Sequence, residues 1–256
     1  MALRLPVSVL LLARDESAAL AELLPSLAGF AEVIVVVDAA SRDDTALVAS
    51  RAGARVLTRA LDGFGAQRQF ALEQCREDWV LWIDADERLD AAGVAAVAAA
   101  VTRGAAQGWR LRRRTWFLGR PIRHCGWRGE RVLRLFRRES ARFDTALVHE
   151  AVLVDGRIED LEATLEHLSY ETWDEAVRKL LQYSAANAQK LARAGRGATL
   201  ADVILRPPLR FVRMYMLQLG VLDGWRGLLL CALASTQVFL KYAGRWAAGR
   251  GARPPA

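Results

Sequence analysis

Two carboxylates one residue apart, Asp84 and Asp86, follow directly on the apolar run WVLWI at residues 79–83. An ionised carboxylate at the end of a buried strand is costly without a partner, so the pair calls for a ligand. Hard divalent cations take oxygen donors, and Mg²⁺ in particular binds through one or two carboxylates together with substrate phosphates. Residues two apart in an extended chain point to the same side, so an extended segment would let both side chains converge on one ligand. Asp-x-Asp alone is common in loops. It gains weight here from the strand before it and from Asp38, which ends another apolar run, EVIVVVD (32–38). A further run, VSVLLL (7–12), leads into Ala13, Arg14, Asp15 and Glu16.

The elements that must position these residues alternate over the first hundred positions. The runs 7–12, 32–38, 54–60 and 79–84 read as strands; ESAALAELLPSLAGF, SRDDTALVASRAG and GFGAQRQFALEQCRE between them read as helices. Continuous apolar runs separated by helical periods predict a parallel sheet covered on both faces. Ligands of such sheets bind beyond the carboxyl ends of the strands, where the acidic residues fall. Ser41, Asp43 and Asp44 are cap candidates for the second helix, and Gly53 sits where a C-terminal cap belongs. Ala91–Val101 reads as a helix on the sheet. After Gly108, GWRLRRRTWFLG and ERVLRLFRRE predict an antiparallel pair. From Thr172 onward the chain reads helical, with a break at Pro207-Pro208.

The 256 residues suffice for one large domain with a smaller C-terminal addition. The chain is 53% apolar and 25% charged, with a formal net charge of +7. Lys179, Lys190 and Lys241 are its lysines, so the basic excess is mostly Arg. Arg favours bidentate contact with phosphate or carboxylate, which suggests an anionic partner; compositional bias explains the excess equally well. Cys75, Cys125 and Cys231 form no CxxC, which fits a reducing compartment without structural disulfides. The N-terminal apolar run is short and ends in charges, which reads as a first strand rather than a signal peptide and places the chain on the cytoplasmic side. Leu228–Leu240 is apolar over about thirteen residues, short of the roughly twenty a spanning helix needs. Its Trp225, Arg226, Lys241, Tyr242, Arg245 and Trp246 flanks suit a helix in a membrane interface, and a packing helix fits as well.

The motifs VSVLLLARDES, EVIVVVDAASRDDT, GFGAQRQFAL and WVLWIDADE, in that order, resemble family 2 glycosyltransferases. GERVLRLFRRE, LVHEAV, HLSYETWDEAVRK and PLRFVRMYMLQLGVLDGWRGLLL are similar to the lipopolysaccharide core glucosyltransferases of that family. The resemblance implies an α/β GT-A nucleotide-diphospho-sugar transferase fold, Rossmann-like and mostly parallel, with a C-terminal helical extension. It implies a catalytic region over 1–170, divided into a nucleotide-sugar half (1–105) and an acceptor half (106–170), followed by a helical, membrane-associating region over 171–256. By the same resemblance Asp38 contacts the uracil base, Asp84 lies near the ribose or diphosphate, and Asp86 ligates a divalent cation, Mg²⁺ or Mn²⁺. Ala13, Arg14 and Glu16 lie beside the nucleotide, and Arg68 on the third helix faces the donor. Family members often carry a Gly-Ser turn after the second-strand Asp. Ala39-Ala40-Ser41 stands here instead, and Ala resists positive φ.

The chemistry implied is a single displacement at the anomeric carbon of a UDP-sugar, with inversion. A general base must activate the acceptor hydroxyl from the opposite face. Within LVHEAV, Glu150 is the favoured base and His149 an orienting group; Glu130 is a rival that a salt bridge with Arg131 or Arg134 would also explain. His124-Cys125 reads as a loop, His167 as packing at a helix start, and Trp109 as core. Trp116 and Trp127 suit either an acceptor wall or the core.

Three alternatives contrast with this reading. A haloacid-dehalogenase-type phosphatase would place Thr two residues after Asp86, where Arg88 stands, and would begin its fold with the motif. A nucleic-acid binder is disfavoured because no such module is recognisable. A polyprenyl-phosphate glycosyltransferase keeps the fold and changes the acceptor. The expectation is a transferase taking a UDP-sugar donor and a lipopolysaccharide core acceptor at the cytoplasmic face of the inner membrane.

Overall fold

The computed structural model describes residues 4–144 and 151–250. They form two compact units: Met1–Arg113 with Gly129–His167, and Arg114–Arg128 with Leu168–Ala256.

The first unit is built on a sheet. β1 (Leu5–Ala13), β2 (Phe30–Asp38), β3 (Arg55–Arg59) and β4 (Trp79–Trp82) are parallel, in the order β3-β2-β1-β4. α1 (Ser17–Leu23), α2 (Thr45–Arg51) and α3 (Phe64–Gln74) connect them. β5 (Glu87–Leu89) and α4 (Ala91–Arg103) follow, then β6 (Gly108–Phe117), the two-residue β7 (Arg120–Pro121) and β8 (Arg131–Arg137). β9 (Ala141–Phe143) pairs antiparallel with β10 (Val152–Val154) as a separate ribbon, and the long β11 (Ile158–Tyr170) returns to the main sheet. Past β4 the order is β8-β6-β11-β5, with β8 antiparallel to both β4 and β6.

Alternation along each strand divides its side chains between two cores. Val7, Val9 and Leu11 of β1 and Val35 and Val37 of β2 pack with Leu20, Leu23 and Ala49 of the first two helices. Leu10, Ile34, Val36, Val80 and Trp82 face the other way, against Ala71 and Leu72 of α3 and against Phe136 and Phe143. Each such Val or Leu contributes roughly 1.5–3 kcal/mol when fully buried. This double coverage explains why β1, β2 and β4 read as unbroken apolar runs. α4 starts at Asp90, whose Oδ1 accepts the Gly93 N–H at 2.7 Å, and ends at Gly104 with φ 60°.

The second unit packs α5 (Trp173–Arg193), α6 (Leu200–Val212) and α7 (Gly224–Ala248) around Phe117, Ile122, Met214 and Leu230. Two expectations change here. Pro207 and Pro208 lie inside α6 rather than breaking it. Their fixed φ suits a helix, and the buried Val203 and Pro207 hold the turn in place despite the missing N–H groups. α7 runs for 25 residues, so the apolar stretch is part of a helix long and apolar enough, by length and composition alone, to cross a membrane. All three cysteines are free and buried.

Candidate active site

Because β1, β2 and β4 are parallel, with Leu12 beside Val36 and Leu10 beside Trp82, their carboxyl ends share one edge of the sheet. The loops there are tied together. Asp15 N–H donates to Ser41 Oγ at 3.0 Å, and Glu16 N–H to Thr45 Oγ1 at 2.9 Å. Arg42 N–H donates to Asp15 Oδ1 at 2.7 Å, with Asp15 itself at φ 54°. Of the three cap candidates Asp44 takes the N-cap position of α2 without a side-chain capping bond, and Asp43 before it accepts from the N–H and hydroxyl of Thr45 and from the N–H of Ser17. Burial pushes the Asp43 carboxyl up, but these hydrogen bonds outweigh it and hold the group well below the ordinary carboxylate range.

Asp38 closes β2 and is 5% exposed. Its Oδ1 accepts the Ala40 N–H at 3.0 Å, and its Oδ2 lies 3.3 Å from Arg14 Nη1. Among the described residues that buried Oδ2 accepts no hydrogen bond. The Ala39-Ala40 turn is made without positive φ: Ala39 N–H donates to Arg59 O, and Ser41 N–H to Asp38 O. The missing glycine therefore leaves the turn intact.

Asp84 and Asp86 do not lie in extended chain as expected. Glu87 N–H donates to Asp84 O at 2.9 Å and closes a turn, so each carboxylate has its own surroundings. Asp84 Oδ1 accepts the Trp82 indole N–H at 3.2 Å and lies 3.9 Å from Arg68 Nη2. Asp84 Oδ2 accepts from Arg134 Nη2 at 2.8 Å. The same Nη2 donates to Glu87 Oε1 at 2.7 Å, and Glu87 Oε2 accepts the Asp84 N–H at 3.1 Å. Two guanidinium groups stack on the Trp82 ring, Arg134 at 3.9 Å and Arg68 at 4.4 Å.

Glu87 is fully buried and Arg134 is 4% exposed. Burial pushes the Glu87 carboxyl above its ordinary value, with the Asp84 charge adding to the push and Arg134 opposing it. For Arg134 burial acts to lower the pKa, and the Asp84 and Glu87 carboxylates outweigh it. Two carboxylates, Asp84 and Glu87, are thus matched by Arg134 and Arg68.

Asp86 belongs to a different pair. β11 lies antiparallel to β5 with His167 opposite Glu87, which brings His167 Nε2 to 3.4 Å from Asp86 Oδ2. His167 sits on a strand rather than at a helix start. The alternation of buried Leu161, Ala163 and Leu165 with more exposed glutamates is the signal that would have placed it there. Arg134 and Glu87 have no such local signal, because Arg134 lies on β8 and Glu87 at the start of β5, 47 positions apart. His149 and Glu150 lie outside the described residues. Glu130 forms its salt bridge with Arg113 rather than Arg131 or Arg134, through contacts of 3.1 and 2.8 Å. Within the second unit His124 is held in a loop by Asp223, and Trp109 is 1% exposed in the first core.

The model of the family described as "Glycosyl transferase family 2" matches residues 8–148. The chain belongs to glycosyl transferase family 2. Among this transferase's relatives, the lipopolysaccharide core biosynthesis glycosyltransferase LpsC of Rhizobium meliloti is 31% identical over 94% of both chains. An uncharacterized glycosyltransferase of Rickettsia typhi is 25% identical over 74% of this chain and 69% of its own. Among solved structures, Mycobacterium tuberculosis glucosyl-3-phosphoglycerate synthase with Mn²⁺, UDP and glucosyl-3-phosphoglycerate is 19% identical, covers 75% of this chain and 81% of that chain, and superposes with a TM-score of 0.45. Staphylococcus aureus TarS 1–349 is 14% identical, covers 97% of this chain and 93% of that chain, and reaches a TM-score of 0.46. The family and the mixed α/β sheet, parallel over β3-β2-β1-β4, with its C-terminal helices make this a GT-A transferase.

Proposed function

We propose that this family 2 transferase moves a sugar, glucose by its resemblances, from UDP to a heptose of a lipopolysaccharide inner core, with inversion, at the cytoplasmic face of the inner membrane. The observation that carries the donor half is the gathering of Asp38, Asp84 and Asp86 at one edge of the sheet, with Asp38 Oδ2 buried and lacking a hydrogen-bond donor among the described residues. A base N–H of uracil would supply that donor. Ala13, Arg14 and Glu16 border the same edge, and Arg68 approaches it from α3. The relationship to LpsC supports the acceptor class.

Asp86 and His167 offer a carboxylate oxygen and an imidazole nitrogen 3.4 Å apart, a donor set that suits Mn²⁺ better than the oxygen-seeking Mg²⁺. Among the described residues no three His, Cys, Asp or Glu side chains could hold a metal by themselves, so diphosphate oxygens would complete the coordination. A cation held there would neutralise charge developing on the departing diphosphate. Arg68 would add charge-assisted hydrogen bonds to the same group. Asp84, held by Arg134 and Trp82, keeps a fixed carboxylate for the ribose or diphosphate. Glu150 would take the acceptor proton, with His149 orienting it; Glu130 is the weaker candidate because both its oxygens accept from Arg113.

A transfer assay with UDP-glucose, UDP-galactose and a heptose-terminated lipid core tests the reading. An inverted glucoside is expected, with Glu150→Gln slowing turnover at least about a hundredfold. A product of retained configuration, or undiminished turnover by Glu150→Gln, would contradict it.

A further inference from the structure

The second unit carries an apolar surface that its own core does not use. Val203 and Pro207 of α6 are buried, while Leu205, Leu209, Val212 and the following Met216 are 57%, 66%, 47% and 58% exposed. Spacings of four, three and four residues place these side chains in one stripe, so the helix is apolar on both faces. The connection to α7 continues the surface with Leu217, Leu222 and Trp225, which are 76%, 63% and 55% exposed. Contiguous exposure of this kind marks an interaction site, whereas scattered exposed Leu does not.

The charges around it are mostly basic. Over residues 200–228 the basic side chains are Arg206, Arg210, Arg213 and Arg226, and the acidic ones are Asp202, which pairs with Arg206, and Asp223. Asp223 turns inward, accepting from the backbone of Arg123 and His124. Beside the apolar turn, Arg120, Arg123, Arg226 and Trp225 line a pocket of about 600 Å³. The Arg226 guanidinium stacks 4.2 Å from the Trp225 ring.

We propose that this face, the outer stripe of α6 with the turn into α7, docks in the plane of an anionic phospholipid bilayer, its leucines entering the acyl boundary and its arginines meeting lipid phosphates. The proposal rests on the membrane-facing part of the reading above and gives that partner a place on the chain. It moves the contact from Leu228–Leu240 to residues 205–225. A second copy of the chain is a poorer occupant, because two such faces would bring their arginine rims together. Spanning by α7 is a poorer geometry, because α5 packs along it and carries Asp174, Glu175, Arg178, Lys179, Lys190 and Arg193, which hydrocarbon would not accept.

Flotation of the full chain with vesicles of phosphatidylcholine alone, or mixed with phosphatidylglycerol, tests this. Binding is expected to the mixed vesicles, released by salt. Leu209→Glu/Leu222→Glu is expected to weaken it at least about tenfold, and Arg120→Gln/Arg123→Gln/Arg213→Gln to bring it to the level seen on phosphatidylcholine. UDP titration of every variant reports folding and separates the two readings: loss of UDP binding in wild type fails the enzyme, while loss of vesicle binding fails only the docking face. Should the double variant not fold, Leu217→Ser replaces it. The proposal is overturned if the Leu variants bind vesicles like wild type, if charge makes no difference, if wild type stays in solution as a dimer, or if alkaline carbonate fails to release it from vesicles.

Discussion

Arg134 Nη2 donates to Asp84 Oδ2 at 2.8 Å from a side chain that is 4% exposed, whereas the Asp84 side chain is 34% exposed. The first carboxylate of the Asp-x-Asp is therefore anchored from within, by an arginine that reaches it from another strand. Glu87, at the start of β5, anchors the same arginine. The second carboxylate, Asp86, has its Oδ2 3.4 Å from His167 Nε2.

Removing Arg134 leaves the buried Glu87 facing Asp84, with Arg68 the remaining cation beside Asp84. Arg134→Met is expected to lower stability by about 3–5 kcal/mol, the usual cost of breaking one side of a buried pair. Urea unfolding checks this. The double variant Arg134→Met/Glu87→Leu should recover much of the loss, because no buried charge then lacks a partner.

Acid should loosen the loops that frame the site through Asp43. Its folded-state pKa lies below the unfolded value of 3.8, so the unfolded chain binds more protons in that window. Stability from Asp43 is present above pH 3.8 and is lost as pH falls toward the folded pKa. Asp43→Asn is expected to be less stable than wild type near neutrality, with the difference shrinking in acid. Thermal unfolding across pH reads it.

Gly227 tests the turn into α7. A Cβ there would collide with the backbone oxygen of Gly220, which no rotamer change relieves. Gly227→Ala is expected to cost about 1–3 kcal/mol and to lower Tm by several degrees. An unchanged Tm would mean that the turn relaxes freely.

Much of this was legible in the chain. Strands buried on both faces are continuous apolar runs, so β1, β2 and β4 and the acidic residues at their ends stood out, as did the antiparallel β6 and β8. Two kinds of feature did not. β11 alternates glutamate with small and large apolar residues, but the helical segment from Thr172 makes His167 read as packing at a helix start, which hides the partner of Asp86. The Arg134–Glu87–Asp84 network depends on strand pairing across about fifty positions, which no local pattern encodes. Pro207-Pro208 misled in the other direction, because packing around Val203 and Pro207 overrode a strong local breaker.

His167→Ala separates metal from nucleotide. It is expected to weaken UDP binding in the presence of Mn²⁺ by about tenfold or more, the scale seen when one contact near a metal is lost. Binding without metal should be little changed. Equal losses in both conditions would make His167 a packing residue only.

Calorimetric titration of UDP into wild type and Asp86→Ala, with and without Mn²⁺, tests the donor site most directly. Binding strengthened by Mn²⁺ in wild type, with that gain lost in Asp86→Ala, is the expected result. No UDP binding by wild type under either condition, or an Mn²⁺ gain that survives in Asp86→Ala, would contradict a metal-assisted nucleotide site at this edge of the sheet.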